Sequence, residues 1–238
     1  MKSLKKILSA VLTAVMVFST VSCSKSESST ENANTQGVRV DKGNDIPDNV
    51  SVSEEQMPYG ATMLALLPEN DENVKIPVEF DKRFFSSDEN GNYPELYRVS
   101  DYFVSLNQND KDLFTEVFYK PYLEFAVNET GFSDIESYFN DYHDYMTKSL
   151  GEGFEVDYII IESLETKADN PERFSQLDER LSDIDKDILQ KIDEGSEKYI
   201  TLECTYNING EGSYAFSYRL DETVSLYLYT IDGVAYIV

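Results

Sequence analysis

Residues 198–238 read "KYITLECTYNINGEGSYAFSYRLDETVSLYLYTIDGVAYIV", and this stretch decides the fold. Its apolar and aromatic runs are separated by the turn formers "NGEG", "DET" and "DG", and Asp-Gly is a strong hairpin signal. The pattern predicts an antiparallel meander of "KYITLECTYNI", "SYAFSYRL", "VSLYLYTI" and "VAYIV". A sheet with one apolar face needs helices packed over that face. The predicted apolar face consists of Ile200, Leu202, Cys204, Tyr206, Tyr214, Phe216, Tyr218, Val224, Leu226 and Leu228.

Three stretches ahead of these strands have helical spacing. Residues 94–107 start with a proline at the first helical position, and a second helix is predicted from a cap at Asn109. Pro121 should kink or end the second helix, because proline lacks the N–H that a helical hydrogen bond needs. The third helix, residues 133–151, begins with a Ser-x-x-Glu capping box and ends at a glycine.

A strand and a long helix complete the predicted core. Residues 154–167 alternate at first and then run apolar over 158–161, which predicts a strand buried on both faces. The following helix is predicted as one element, with Asn170 as cap, Pro171 at the first position and Gly195 as its end. Its apolar stripe consists of Phe174, Leu177, Leu181, Ile184, Ile188 and Ile192.

A β-hairpin is predicted ahead of the helices, between residues 59 and 85. "YGATMLALL" and "VKIPVEF" have strand character, and the turn formers "PENDEN" lie between them. Pro77 should place the second strand at a sheet edge or a bulge, because proline cannot donate to a ladder. Residues 58–92 are therefore assigned to this hairpin and its polar loop, and residues 93–238 to the main α+β domain.

The N-terminal residues have the pattern of an export signal. Three lysines precede an apolar run, residues 7–21, which has signal-peptide length and is short for a membrane span. The sequence "TVSC" then resembles a bacterial lipobox, although Thr20 stands where that family usually has Leu. The resemblance implies that residues 1–22 are a signal peptide and that Cys23 receives a diacylglyceryl group. The alternative is ordinary secretion with a chance cysteine.

Lipidation at Cys23 would place the protein at the extracytoplasmic face of a bacterial cell membrane, with the membrane itself as one partner. Residues 23–57 are polar and nearly free of large apolar side chains, so they predict a flexible, disordered tether. Cys204 would then have no disulfide partner. Its position on an apolar strand face predicts small core filling.

Composition excludes several classes of function. The chain has 20 basic and 45 acidic residues and a net charge of −25, which argues against binding nucleic acid or anionic lipid headgroups. Its single histidine, His143, excludes metal sites that need two histidine ligands. Asp183, Asp185 and Asp187 resemble the start of a calcium loop, but the required glycine is missing, so they predict a solvated helix face. No cofactor and no metal is predicted.

The order of helices, strand, helix and antiparallel strands, closing on "YTIDGVAYIV", resembles the NTF2-like, cystatin-like α+β domain of many bacterial lipoproteins. In that family a curved antiparallel sheet wraps helices into a cone, and Trp is common where this chain has Ala235. The resemblance covers about residues 80–238 and implies a fold rather than an activity, because family members include enzymes, small-ligand binders and interaction domains. NTF2-like sheets often dimerise face to face, so the resemblance leaves open whether this chain forms a homodimer.

A group of tyrosines supplies the candidate ligand site at the mouth of the predicted cone. Aromatic pockets with few polar groups bind small ligands, so the leading hypothesis is a non-enzymatic lipoprotein that binds a small ligand or an envelope protein. The candidate residues are Tyr138, Tyr142, Tyr206, Tyr214 and Tyr218. On the opposite sheet face, Tyr227 and Tyr229 are predicted to meet the hairpin or a partner.

Three alternatives stay open for the function. The tyrosines can be core residues whose hydroxyls only reach the rim of the cone. His143 and a nearby carboxylate can form an acid–base pair, as in some enzymes of the NTF2-like family. The domain can also be a structural or immunity-type interaction module without a pocket.

Overall fold

The computed structural model describes residues 64–67, 75–220 and 223–238. These residues form an α+β fold with six α-helices and a mixed, open sheet of seven strands. The predictions for the signal peptide, for lipidation of Cys23 and for the tether lie outside the described residues. In the described part of the chain, no helix has both the length and the apolar character needed to cross a membrane.

Among the described residues, two strands are followed by four helices, one strand, two helices and four strands. They are β1 (Leu64–Leu66), β2 (Val78–Asp81), α1 (Pro94–Asn107), α2 (Lys111–Val117), α3 (Lys120–Glu129), α4 (Ile135–Leu150), β3 (Phe154–Thr166), α5 (Pro171–Ile184), α6 (Ile188–Lys191), β4 (Lys198–Ile208), β5 (Glu211–Ala215), β6 (Val224–Ile231) and β7 (Val234–Ile237). A 3₁₀ turn, Phe216–Tyr218, follows β5.

The sheet has the strand order β1-β2-β3-β4-β6-β7, and β5 also pairs with β4. All these pairs are antiparallel except β2 with β3. The strands of the main domain, β3 to β7, therefore pair antiparallel as predicted, and the sheet is mixed because the hairpin strand β2 joins it in parallel. The predicted meander is wrong at one step, because β6 pairs with β4 rather than with β5. The chain leaves the sheet after Ala215, where the 3₁₀ turn begins. The first half of β4 therefore remains unpaired on that edge until β6 pairs with it.

The predicted hairpin is present in the described residues. Leu64 lies opposite Asp81 in an antiparallel β1–β2 pair. The prediction that Pro77 marks an edge strand or a bulge is wrong, because β2 lies between β1 and β3. Pro77 directly precedes β2, so its missing N–H falls outside the strand, and its carbonyl accepts a 3.0 Å hydrogen bond from the N–H of Ile159.

Helix α1 has the predicted bounds, but the cap of α2 lies one residue later than predicted. The Asp110 carboxylate accepts hydrogen bonds from the N–H groups of Asp112 and Leu113, each 3.0 Å long. Asn109 instead adopts a φ of 52°, the left-handed conformation that Asn tolerates better than most residues. It therefore reverses the chain between α1 and α2 and leaves the capping to Asp110.

Pro121 starts a helix rather than ending one. It occupies the first turn of α3, where no helical N–H is needed, and α2 has already ended at Val117. The capping box of α4 is likewise shifted by one residue. It consists of Asp134 and Ser137 instead of Ser133 and Glu136, with the Ser137 N–H donating to the Asp134 carboxylate at 2.7 Å.

The long helix predicted for residues 170–195 is broken in two. Asp185 adopts an extended conformation between α5 and α6, accepts a hydrogen bond from the Asp187 N–H at 3.0 Å and pairs with Lys191. Ile188 remains fully buried beyond the break. The turn therefore preserves the apolar spacing that made the segment look continuous.

Helices cover both faces of the sheet at β6. On one face, α1, α2 and α4 enclose the larger core, which contains the fully buried Cys204 as predicted. On the other face, Tyr227 and Tyr229 pack against Phe174 of α5, with ring centroids 5.6 and 6.3 Å away. The prediction that these two tyrosines meet the hairpin or a partner is therefore wrong, because α5 occupies that face.

Candidate functional site

A largely enclosed cavity of about 60 Å³ lies between α1–α4 and the start of β6. One water needs about 10–15 Å³ of such space, so the cavity holds roughly four to six groups of that size. No charged side chain of the described residues belongs to this lining, and the polar side chains they contribute are five tyrosines and one serine. The lining consists of Tyr102, Phe114, Phe118, Tyr122, Leu123, Ala126, Tyr138, Tyr142, Tyr145, Met146, Leu220, Val224, Ser225 and Leu226.

The spacing of α4 explains how three of these tyrosines come together. Tyr138, Tyr142 and Tyr145 are separated by four and three residues, which places them on one side of a helix. The rings of Tyr138 and Tyr142 are nearly parallel, with an interplanar angle of 4° and centroids 6.5 Å apart. The buried ring of Phe114 packs against both of them from α2. The cavity wall is thus a continuation of the aromatic core.

Two of the lining hydroxyls contact each other directly. The Oη atoms of Tyr102 and Tyr142 are 2.7 Å apart, and both side chains are buried. Burial raises the pKa of Tyr142 to about 12. Burial, together with the neighbouring Tyr142, also raises the pKa of Tyr102 well above its usual value. Both groups are therefore protonated at neutral pH and act as hydrogen-bond donors.

The structure brings together two of the five predicted ligand residues. Tyr138 and Tyr142 line the cavity, whereas Tyr206 is fully buried outside this lining. Tyr214 and Tyr218 are 43% and 86% exposed. Tyr214 keeps the predicted face, because it lies in β5 opposite Tyr206 with ring centroids 5.5 Å apart, but it does not reach the cavity lining. Tyr218 leaves that face, because β5 ends at Ala215 and the 3₁₀ turn changes the direction of the following side chains.

The sequence contained partial signals for the cavity residues that were missed. Tyr102 belongs to the apolar stripe of α1, but nothing local indicates that this stripe faces Tyr142. Tyr122 was missed because Pro121 was interpreted as a helix end, whereas it opens α3. Pairing between distant helices decided the site, and helical spacing alone does not specify that pairing.

Tyr206 carries the one buried side-chain polar atom that lacks a hydrogen-bond partner among the described residues. A buried polar group left unpaired costs about 1–3 kcal/mol. Tyr206→Phe removes the hydroxyl and keeps the ring contacts with Tyr214 and Phe216. We expect the free energy of unfolding, measured by urea denaturation, to stay the same or rise by up to about 2 kcal/mol. A loss above about 1 kcal/mol would show that the hydroxyl has a partner in solution.

His143 lies half-buried on α4, outside the residues that line the cavity. Its ring packs against Phe139 and Phe154, with centroids 6.1 and 6.0 Å away. The nearby Asp144 carboxylate pairs with Lys148 at 3.8 Å. The imidazole is therefore packed against aromatic rings and does not face the cavity, so this arrangement does not support the acid–base hypothesis.

The aspartates that resemble a calcium loop lie around the break between α5 and α6. Asp185 is engaged by Lys191 and by the N–H of Asp187. Within residues 64–67, 75–220 and 223–238, no group of three or more His, Cys, Asp and Glu side chains is arranged to hold a metal ion.

Comparison with known proteins assigns no function to the chain. No protein-family model, no curated protein and no solved structure matches it. A functional proposal therefore depends on the sequence and on the geometry of the cavity.

Proposed function

We propose that this chain is a lipid-anchored protein of the bacterial cell envelope whose NTF2-like domain binds a small apolar ligand in the tyrosine-lined cavity. The observation that carries the proposal is a largely enclosed cavity whose lining is largely aromatic and, within the part of the chain that the structure describes, uncharged. Ligand sites are typically apolar pockets with a few well-placed polar groups. The NTF2-like assignment is supported by the element order and by the β6–β7 hairpin that closes the chain.

Binding of an apolar ligand is physically favourable in such a cavity. Atoms that line a void lose dispersion contacts, and a filled void restores them. The aromatic rings of Phe114, Phe118 and Tyr138 offer a large apolar contact surface. A ligand that binds against them does not have to displace water from a charged side chain. A ligand that binds only the folded state must also raise the apparent stability.

The test is a cavity-filling substitution on α3. Ala126 lines the cavity and is partly buried, so Ala126→Leu should occupy the space and abolish binding of small apolar probes such as benzene or indole. Probes should raise the thermal unfolding midpoint of the wild-type protein, with about 2.7 kcal/mol of stabilisation at 100 times the dissociation constant. Glu129→Leu adds the same side chain at an exposed position of α3 and should leave binding intact.

The proposed anchor has its own test at Cys23. Mass spectrometry of the membrane fraction should find a mature chain that begins at Cys23 and carries a diacylglyceryl group. Cys23→Ser should remove the lipid and shift the protein to the soluble fraction. A wild-type chain that is soluble and cut at another residue would contradict the proposal.

A second candidate, a module that recognises another envelope protein, is favoured by the exposure of Tyr218 and Tyr214. Tyrosine is enriched in protein interfaces because it combines apolar area with a polar hydroxyl. Tyr218→Ala should leave probe binding in the cavity unchanged. If no envelope glycan, peptide or lipid fragment and no apolar probe stabilises the wild-type protein, this surface becomes the leading site.

A further inference from the structure

We infer that the ligand is a neutral molecule that presents one hydrogen-bond acceptor, a ketone, ester or ether oxygen, to the hydroxyl pair of Tyr102 and Tyr142. The inference rests on the proposed function, because it names the ligand class of the same cavity. It goes further by assigning a specific polar contact to a site whose lining is largely aromatic.

The first reason is a count of protons. Two phenol hydroxyls carry two protons, and the 2.7 Å contact between Tyr102 and Tyr142 uses one of them. Whichever hydroxyl accepts in this contact still has its own O–H to donate. No other hydrogen bond of either hydroxyl is found within the described residues. Both tyrosines line the cavity, and the inference assigns the remaining donor to an acceptor inside it.

The second reason is the absence of charge around this donor. Among residues 75–220 and 223–238, the lining contains no Lys, Arg, His, Asp or Glu side chain, so a charged ligand would lose its hydration without gaining an ionic partner from them. The net charge of −25 further disfavours anions. A ligand with donors alone would leave the remaining O–H unpaired, and a buried unpaired donor is costly. A neutral acceptor is the class that satisfies all three conditions.

The size of the cavity selects the probes. Room for roughly four to six water-sized groups suits a single six-membered ring. Cyclohexanone and methylenecyclohexane have nearly the same shape and differ only by an acceptor oxygen in place of a CH₂ group. Each probe is titrated into the wild-type protein and followed by ¹H–¹⁵N NMR of the cavity-lining amides.

The two probes are compared across hydroxyl-deleting variants. The ratio of dissociation constants, methylenecyclohexane over cyclohexanone, should be about 2- to 12-fold smaller in the double variant Tyr102→Phe/Tyr142→Phe than in the wild type, which is the range of one net hydrogen bond. Hydration of the free probes cancels in this comparison. Each single variant keeps one hydroxyl with a free proton and should retain most of the wild-type ratio.

The outcomes separate the inference from the proposed function. If both probes bind the wild type and the ratio is the same in the double variant, the inference is overturned while the cavity remains a ligand site. If neither probe binds the wild type, the proposed function fails and the inference fails with it. A double variant whose ratio falls, with methylenecyclohexane binding retained, supports both.

A measurement on the wild-type protein covers the case in which the double variant does not fold. The C=O stretch of bound, ¹³C-labelled cyclohexanone should lie below its frequency in a hydrocarbon solvent, because a donated hydrogen bond weakens the carbonyl bond. A bound stretch at the hydrocarbon value would overturn the inference.

Discussion

Lys198→Met should lower the free energy of unfolding by about 3–5 kcal/mol at neutral pH, the range for breaking a buried ion pair. The Lys198 ammonium, at the start of β4, lies 2.7 Å from the Glu95 carboxylate on α1. The two side chains are only 9% and 13% exposed. Removing the ammonium leaves a buried carboxylate without its counter-charge. Chemical denaturation of the variant and the wild type measures the loss.

The pH dependence of this loss follows from Glu95. Burial raises the pKa of the Glu95 carboxyl above its usual value, even though Lys198 opposes the shift. An acid with a raised folded-state pKa contributes stability below its unfolded pKa, and that contribution is lost as the pH rises through the folded value. The loss caused by Lys198→Met should therefore be smallest below the ordinary Glu value of 4.5 and grow above it.

Two variants serve as controls for Lys198→Met. Lys148→Met breaks the exposed pair with Asp144, whose side chains are 73% and 69% exposed, and should cost no more than about 0.5 kcal/mol. The double variant Glu95→Leu/Lys198→Met removes both charges and should recover most of the loss. A double variant as unstable as Lys198→Met would mean that the ion pair does not hold this position. The contact left to explain the loss is the cation–π contact of the Lys198 ammonium with the Phe85 ring, 5.7 Å from the centroid.

Phe174→Ala should destabilise the fold by about 3–5 kcal/mol, the usual cost of deleting a buried phenylalanine ring. Phe174 is fully buried and joins α5 to β6 through an edge-to-face contact with Tyr227. The second core lies between α5 and the sheet, so its loss should be felt first in α5. Urea denaturation gives the total effect, and native-state hydrogen exchange should show reduced protection of the α5 amides.

Tyr218→Ala is the matched control, because this ring is 86% exposed. An exposed substitution of this kind should change the free energy of unfolding by no more than about 0.5 kcal/mol. Equal losses for Phe174→Ala and Tyr218→Ala would contradict the presence of a second core behind β6.

Much of the secondary structure could be predicted from local sequence signals. The bounds of α1, β4 and β6 agree with the prediction, because Pro94 fixes the start of α1 and turn residues separate the strands. The order of the strands in the sheet could not be predicted in this way. Turn signals indicate where a strand ends, and they do not specify whether β6 pairs with β5 or with β4.

The second apolar layer was missed although the sequence contains its signal. The β6 run "VSLYLYTI" is apolar on both faces, and such runs are typical of strands with helices on each side. Because Tyr227 and Tyr229 were expected to meet the hairpin or a partner, α5 was not recognised as the helix that covers them. The break at Asp185 was hidden for a different reason, since its turn keeps Ile188 on the buried side.

The candidate site could be predicted in part for a similar reason. Helical spacing on α4 brought Tyr138 and Tyr142 together in the prediction and in the structure. Tyr102 joins them through the contact of its hydroxyl with that of Tyr142, a tertiary contact without a local signal. Tyr218 was misplaced because strand alternation was extended past Ala215, where the chain leaves the sheet. Tyr214 lies opposite Tyr206, as the alternation indicates, but outside the cavity lining.

Because β6 pairs directly with β4, the segment between these two strands can influence ligand specificity without holding the sheet together. β6 is held in the sheet by β4, and not by the connecting segment that contains β5 and the 3₁₀ turn. Leu220, near the end of this segment, nevertheless forms part of the cavity wall. Substitutions there can reshape the mouth of the cavity while the ladder between β4 and β6 keeps its register. This segment can therefore change in sequence without changing the pairing of β4 with β6. We expect related chains with different ligands to differ most between β4 and β6.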